Sequence, residues 1–102
     1  QMFSYPPFVR IINIYVKSSD YNICYRAVGS LYKDLFANFG DQLLGPDKPP
    51  VSKVQKLHIQ KLMLKLPVEQ SMSESKRRII KSIEKLKTNF PSVFVIIDVD
   101  PI

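Results

Sequence analysis

The 102-residue sequence predicts one α+β domain with the ferredoxin-like βαββαβ plan, an antiparallel sheet with two helices on one face. Two kinds of apolar spacing support this prediction. Short segments rich in β-branched residues are typical of strands, and two longer segments with apolar residues every three or four positions are typical of helices. The composition, 45% apolar and 24% charged, is that of a folded chain rather than a disordered one.

The first half of the chain predicts a strand, a helix and a second short strand. Residues 8–17 are β-branched or aromatic on both faces, as in a strand covered on two sides. Asp20 and the two serines before it can cap a helix over 20–39, which Gly40 would end. The buried stripe of this helix should comprise Cys24, Ala27, Val28, Leu31, Leu35 and Phe39. A strand over 42–44 should give way to an irregular segment, because prolines do not suit a paired central strand.

The second half predicts a strand over 54–66, a helix over 73–89 and a last strand over 93–99. The apolar positions of the third strand change face between Ile59 and Leu62, which either a β-bulge or an outer arm that leaves the core would explain. Ser71 and Glu74 match a capping box at the start of the second helix. The buried stripe of that helix should comprise Ile79, Ile80, Ile83, Leu86 and Phe90.

Right-handed crossovers would place both helices on one face of the sheet and leave the other face bare. Several outward positions of the first and last strands are nevertheless apolar or aromatic. We therefore expect the bare face to be a docking surface in a larger protein. The residues expected on it are Ile11, Tyr15, Phe94 and Ile96.

No motif in the sequence supplies catalytic chemistry. There is no phosphate-binding loop, no cluster of metal ligands and no nucleophile elbow, so we predict no catalytic residue, no bound metal and no cofactor. Cys24 occupies an apolar helix position and should be a core residue. Asp98 and Asp100 share one side of a strand and could bind magnesium or act as a general base, although the polar end of a strand is the simpler interpretation. The lone cysteine and the lack of a membrane span or signal peptide fit a cytoplasmic protein.

The chain has 15 Lys and Arg residues against 9 acidic ones, a net charge of +6. Such a balance suits a partner that carries phosphates, but it also suits a surface whose charges are merely solvated. The candidate residues for binding a phosphate-bearing partner such as a nucleic acid lie in the Pro-rich loop, the third strand and one face of the second helix. They are Lys48, Lys53, Lys56, Lys61, Arg77 and Lys81.

Four segments in this order resemble one known family. They are Tyr5-Pro6-Pro7-Phe8 with Arg10 following, Leu44-Gly45-Pro46 with Pro49 and the basic Lys53 following, Leu62-Met63-Leu64-Lys65 and Asp98-Val99-Asp100-Pro101. Over essentially the whole chain they are similar to the C-terminal domain of bacterial primosomal protein N′, the replication-restart DNA helicase. The family usually has an aromatic-Arg-x-Gln run where this chain has His58-Ile59-Gln60-Lys61. Any contact made by that arginine would here come from Lys56, Lys61 or another residue, or be missing.

The resemblance implies a fold like that of ribosomal protein S10. It also implies that residues 1–102 are the C-terminal accessory domain of a bacterial, nucleoid-associated ATP-dependent 3′-to-5′ helicase. ATP, magnesium and zinc would belong to upstream domains. The implied partners are fork or single-stranded DNA, the upstream helicase core, the single-stranded-DNA-binding protein and other primosome proteins. The candidates for packing against the helicase core are Tyr5, Phe8, Ile11, Tyr15, Phe94 and Ile96.

Two other functions compete with a DNA-binding accessory domain. The first is a purely structural clamp on the helicase core, in which the positive charges would be dispersed rather than clustered. The second is a small-molecule regulatory domain, because a ferredoxin-like fold does not fix a function. A regulatory domain should have a glycine-bearing loop after the first strand, and Ser18-Ser19-Asp20 contains no glycine.

Overall fold

The computed structural model describes residues 9–47, 53–54, 57–67 and 70–100, with side chains at all of these except positions 9, 47, 53, 54 and 100. These residues form five strands and two helices, and a short 3-10 turn, Gly40–Gln42, follows the first helix. The elements are β1 (Val9–Ser18), α1 (Tyr21–Phe39), β2 (Leu43–Asp47), β3 (Lys53–Val54), β4 (Leu57–Pro67), α2 (Met72–Asn89) and β5 (Phe94–Asp100).

The sheet has the order β2-β4-β1-β5, and all neighbouring strands are antiparallel. The central pair is β1 and β4, which run side by side from Val9 opposite Pro67 to Ser18 opposite His58. Each helix connects two strands that have a third strand between them. This arrangement is the split βαβ of the ferredoxin-like fold, so the predicted α+β class and element order are confirmed.

Both helices pack on one face of the sheet, where the core lies. On β1 the side chains of Ile12, Ile14 and Val16 are buried against them, and on β4 those of Leu62 and Leu64. All six residues predicted for the buried stripe of α1 are buried in the same cluster. Alternation along β1 therefore sends every second side chain into the core and the others to the opposite face.

Both helices begin at the predicted capping residues. The Asp20 carboxylate accepts hydrogen bonds from the backbone N–H groups of Asn22 and Ile23, at 2.8 and 3.2 Å. Ser71 Oγ accepts one from the Glu74 N–H at 3.2 Å. The Glu74 carboxylate, the acidic residue of the predicted capping box, lies 3.7 Å from Arg77 and 3.6 Å from Arg78. It therefore forms ion pairs within α2.

The predicted buried stripe of α2 is wrong at one residue. Ile79 and Leu86 are buried, while Ile83 and Phe90 are partly buried against the core. Ile80 is 48% exposed. The reason is that β5 is the edge of the sheet, so nothing among the described residues lies beyond it to cover Ile80. Ile80 instead lines a crevice of about 210 Å³ between α2 and β5.

The predicted second strand is too short. β2 continues through Gly45 and Pro46 to Asp47. A proline fits here because β2 is an edge strand and an irregular one. Between Leu44 opposite Met63 and Asp47 opposite Lys61, β2 advances by three residues and β4 by two, so the extra residue lies in β2.

The predicted third strand is in fact two strands. β3 pairs with β4, with Lys53 opposite His58 and Val54 opposite Leu57. The pairing of β1 with β4 keeps one register throughout, so a bulge in β4 toward β1 does not explain the change of apolar face. The change arises because Ile59 is buried on the face opposite the helices, where it does not belong to the main core cluster.

Candidate nucleic-acid interface

The sheet face that α1 and α2 leave uncovered is called the open face here. The register assigns side chains to it, because residues directly opposite each other on paired strands share a face. The side chains it carries are Leu44 from β2, Ile59, Lys61, Met63 and Lys65 from β4, Ile11, Asn13, Tyr15 and Lys17 from β1, and Phe94, Ile96 and Asp98 from β5.

Two neighbouring rows of this face combine positive charge with aromatic and apolar side chains. Lys61, Tyr15 and Ile96 form one row across β4, β1 and β5. Ile59, Lys17 and Phe94 form the next row. Lys17 and Lys61 are therefore diagonal neighbours on paired strands, a relation that places Cα atoms about 7–8 Å apart. We call Tyr15, Lys17, Lys61, Phe94 and Ile96 the Tyr15 cluster.

The Tyr15 cluster is accessible from solvent. Tyr15, Lys17 and Lys61 are half-buried, whereas Phe94 is 57% and Ile96 45% exposed. Half-buried lysines on a sheet lay their aliphatic stems along apolar neighbours and keep the ammonium group in water. The cluster is thus an apolar and aromatic surface with two positive charges held above it.

Negative charge lies toward the other end of the open face. Asp98 is opposite Asn13, one row beyond Tyr15, and the backbone of Asp100 is opposite Ile11. Asp98 therefore lies on the open face, whereas the Asp100 side chain lies outside the described atoms. No group of three or more metal-ligating side chains occurs in the part of the chain that the structure describes. The backbone of Asp47 on β2 is paired opposite Lys61.

The predicted DNA-binding residues do not form a single patch among the described side chains. Lys61 lies on the open face, whereas Arg77 and Lys81 are exposed on α2, which packs on the other side of the sheet. The backbone of Lys53 is placed opposite His58, but its side chain lies outside the described atoms. Lys48 and Lys56 lie outside the described residues.

Six residues were predicted to pack against the upstream helicase core. Four of them, Ile11, Tyr15, Phe94 and Ile96, lie on the open face. Their placement away from the helix-covered core is as predicted. Tyr5 and Phe8 lie outside the described residues.

Lys17 is the cluster residue that sequence reasoning missed. It stands two positions after Tyr15 in a strand, so alternation alone predicts that the two side chains share a face. Its relation to Lys61 depends on the register between β1 and β4, which brings together residues more than forty positions apart in sequence.

Cys24 lies in the core, as predicted, and is 1% exposed. Its Sγ donates toward the backbone oxygens of Val16 and His58, at 3.4 and 3.5 Å. Burial raises the pKa of the Cys24 thiol, and a backbone hydrogen bond with Gln60 only partly offsets this. A buried thiol with a raised pKa is a poor nucleophile.

Fold and open face together define a small ferredoxin-like domain with a positively charged, aromatic sheet surface. The family model of the primosomal protein N C-terminal domain matches residues 1–102, so the chain belongs to this family. It is therefore a domain of primosomal, replication-restart proteins. Among the described residues, no helix is long and apolar enough to cross a membrane.

Two solved structures show how general the fold is. The chain superposes on the de novo designed protein Foldit4 with a TM-score of 0.67 at 6% identity, covering 92% of this chain and 98% of that one. It also superposes on a hydantoinase/carbamoylase family amidase from Burkholderia ambifaria, with a TM-score of 0.50 at 12% identity, covering 92% of this chain and 28% of that one. At these identities only the fold is shared. No curated protein sequence matches the chain.

Proposed function

We propose that this chain is the nucleic-acid-binding accessory domain of an ATP-dependent 3′-to-5′ replication-restart helicase. The observation that carries the proposal is the diagonal pair of Lys17 and Lys61 on the open face of a rigid sheet. Membership of the primosomal family supports DNA as the polyanion. ATP, magnesium and zinc would be bound by upstream domains of the same cytoplasmic polypeptide, and the fork-restart partners would be primosome proteins, including the single-stranded-DNA-binding protein.

The open face is favoured over α2 as the DNA-binding surface because of what surrounds the charges. On α2, Arg77 lies 3.7 Å from the Glu74 carboxylate, and Lys85 lies 3.5 Å from that of Asp34. Among the described side chains of the central strands, Lys17 and Lys61 have apolar and aromatic neighbours, although the backbone of Asp47 pairs opposite Lys61 on the edge strand. Because Lys17 and Lys61 are already half-buried, their aliphatic chains lose less conformational entropy when the ammonium groups bind phosphates.

Contacts of this kind read the nucleic-acid backbone and not the base sequence. A lone domain with few phosphate contacts binds weakly and with a modest dependence on salt. For a single strand, each contact contributes about −0.7 to the slope of log affinity against log salt, so Lys17 and Lys61 together account for roughly −1.4.

The test is a salt titration of the 102-residue chain with fork and single-stranded DNA. The double variant Lys17→Ala/Lys61→Ala should bind more weakly, and its log–log slope should be shallower by about 1.4 than that of the wild type. Arg77→Ala/Lys81→Ala is the matched control, because it removes the same charge from the opposite side of the sheet. If the α2 variant loses the salt dependence and the open-face variant keeps it, the surface is assigned wrongly.

The second candidate function is docking of the open face against the upstream helicase core. The exposure of Phe94, Ile96 and Leu44 on one face favours it, since exposed apolar patches mark interaction surfaces. Amide hydrogen exchange distinguishes the two functions. Docking should protect β5 in the full-length protein without DNA, relative to the isolated chain, whereas DNA binding should leave β5 unprotected until DNA is added.

A further inference from the structure

We infer that Tyr15 stacks against one base of a single-stranded nucleic acid whose adjacent phosphates meet Lys17 and Lys61. The inference deepens the proposed function and rests on it, because it names the class of ligand that the open face takes. Stacking on an aromatic ring and charge contacts to the backbone are the two components by which proteins hold single strands.

Packing of the hydrophobic core does not explain why a tyrosine occupies position 15. β1 is a central strand, and its neighbours Ile14 and Val16 point into the helix-covered core. Tyr15 lies in the middle of the sheet on the other face, half-buried between Lys61 on β4 and Ile96 on β5. Its ring therefore belongs to a firm surface and not to a mobile loop, which limits the entropy lost when a base stacks on it.

The charges around Tyr15 determine where a strand can run. Lys61 is directly beside Tyr15, and Lys17 is two residues along the same strand. In the other direction along β1, the next row contains Asn13 and Asp98. A phosphate backbone is attracted to the first end and repelled from the second. The strand should therefore cross the sheet over Lys61, Tyr15 and Phe94 and should avoid Asp98.

The ligand should be single-stranded, because a base can stack on Tyr15 only after it has left its own duplex stack. A sheet surface reads splayed bases of single strands in this way, with aromatic residues on its central strands. Phe94, in the adjacent row and 57% exposed, offers a second ring for the neighbouring base.

The experiment compares two labelled probes in binding titrations of the 102-residue chain, a twelve-nucleotide thymidine oligomer and an abasic oligomer of equal length and charge. We expect the wild type to prefer the thymidine oligomer by about 5- to 150-fold, the range expected for one stacked base. Tyr15→Phe should keep the preference, and Tyr15→Leu should reduce it to what Phe94 alone supplies while keeping the same salt slope. Tyr25→Leu is the matched control, because Tyr25 is 63% exposed on α1, away from the open face.

The possible failures have different meanings. If the wild type binds both oligomers equally and with the same salt dependence, stacking is refuted while backbone binding stands. If Tyr15→Leu prefers bases as strongly as the wild type does, or if a twelve-base-pair duplex binds as tightly as the thymidine oligomer, the role of Tyr15 is likewise refuted. If no salt-sensitive binding occurs, the proposed function fails together with the inference. Thermal melting of each variant checks that the fold is retained.

Discussion

On β1 the side chains at even positions lie beneath the helices, and those at odd positions lie on the open face. Ile14 is fully buried, whereas its neighbour Tyr15 is only half-buried. The covered face is held by apolar packing that tolerates little change in volume. The open face has lysines, aromatic rings and an aspartate whose positions follow from the register but which fill no core. Adjacent residues of one strand thus meet two separate requirements, stability on one face and binding on the other.

The largest expected difference between the two faces is in the free energy of unfolding, when the adjacent residues Ile14 and Tyr15 are each substituted. Ile14→Ala should lower the free energy of unfolding by about 2–5 kcal/mol, because it leaves a cavity beneath the helices. Tyr15→Leu keeps an apolar side chain on a half-exposed position and should change that free energy by less than about 1 kcal/mol. Urea denaturation of both variants measures the difference. Equal losses would mean that the open face is part of the core.

A smaller effect should arise where the helices begin. Ser71→Ala removes the hydroxyl that accepts from the Glu74 N–H and should cost about 1 kcal/mol. Asp20→Ala should cost a similar amount at α1, because the Asp20 carboxylate accepts from two N–H groups. Both variants should bind DNA as the wild type does, since neither residue lies on the open face. A loss of DNA binding at full folding would contradict the separation of the two faces.

The sequence predicted the covered face well. The three- and four-residue spacing in α1 identified all six of its buried residues, because a helix buries a stripe that local sequence alone determines. It also placed Ile11, Tyr15, Phe94 and Ile96 outside the core.

The candidate site was less predictable, because pairing between distant strands creates it. The predicted patch joined Lys61 to Arg77 and Lys81, which lie on opposite sides of the sheet. Which lysine adjoins Tyr15 depends on the β1–β4 register, and this is a tertiary property. The continuation of β2 through Pro46 and the separation of β3 from β4 were missed for the same reason, since edge position and pairing decide both.

The pH dependence of stability tests whether the Cys24 thiol is buried beneath the helices. Its folded pKa is raised by burial, so the unfolded chain releases the thiol proton more readily than the folded one. This contribution to stability is fully present below the ordinary thiol pKa of about 8.5 and is lost as pH rises above it. Denaturation midpoints of the wild type should therefore fall more steeply above that pH than those of Cys24→Ala. If the midpoints of the two proteins fell equally as pH rises, the Cys24 thiol would not be buried.

The smallest effect should come from the surface ion pair that links the two helices. Lys85 Nζ lies 3.5 Å from Asp34 Oδ1, but the Lys85 side chain is 66% exposed, so water and salt screen the attraction. Lys85→Ala should change the free energy of unfolding by at most about 0.5 kcal/mol, and less at high salt.

The effect of Lys85→Ala on DNA affinity should also be much smaller than that of Lys61→Ala, although each substitution removes one positive charge. If charge alone determined affinity, the two variants would weaken binding equally at every salt concentration. A larger loss for Lys61→Ala, measured at low salt where surface charges act farthest, would show that position on the open face matters.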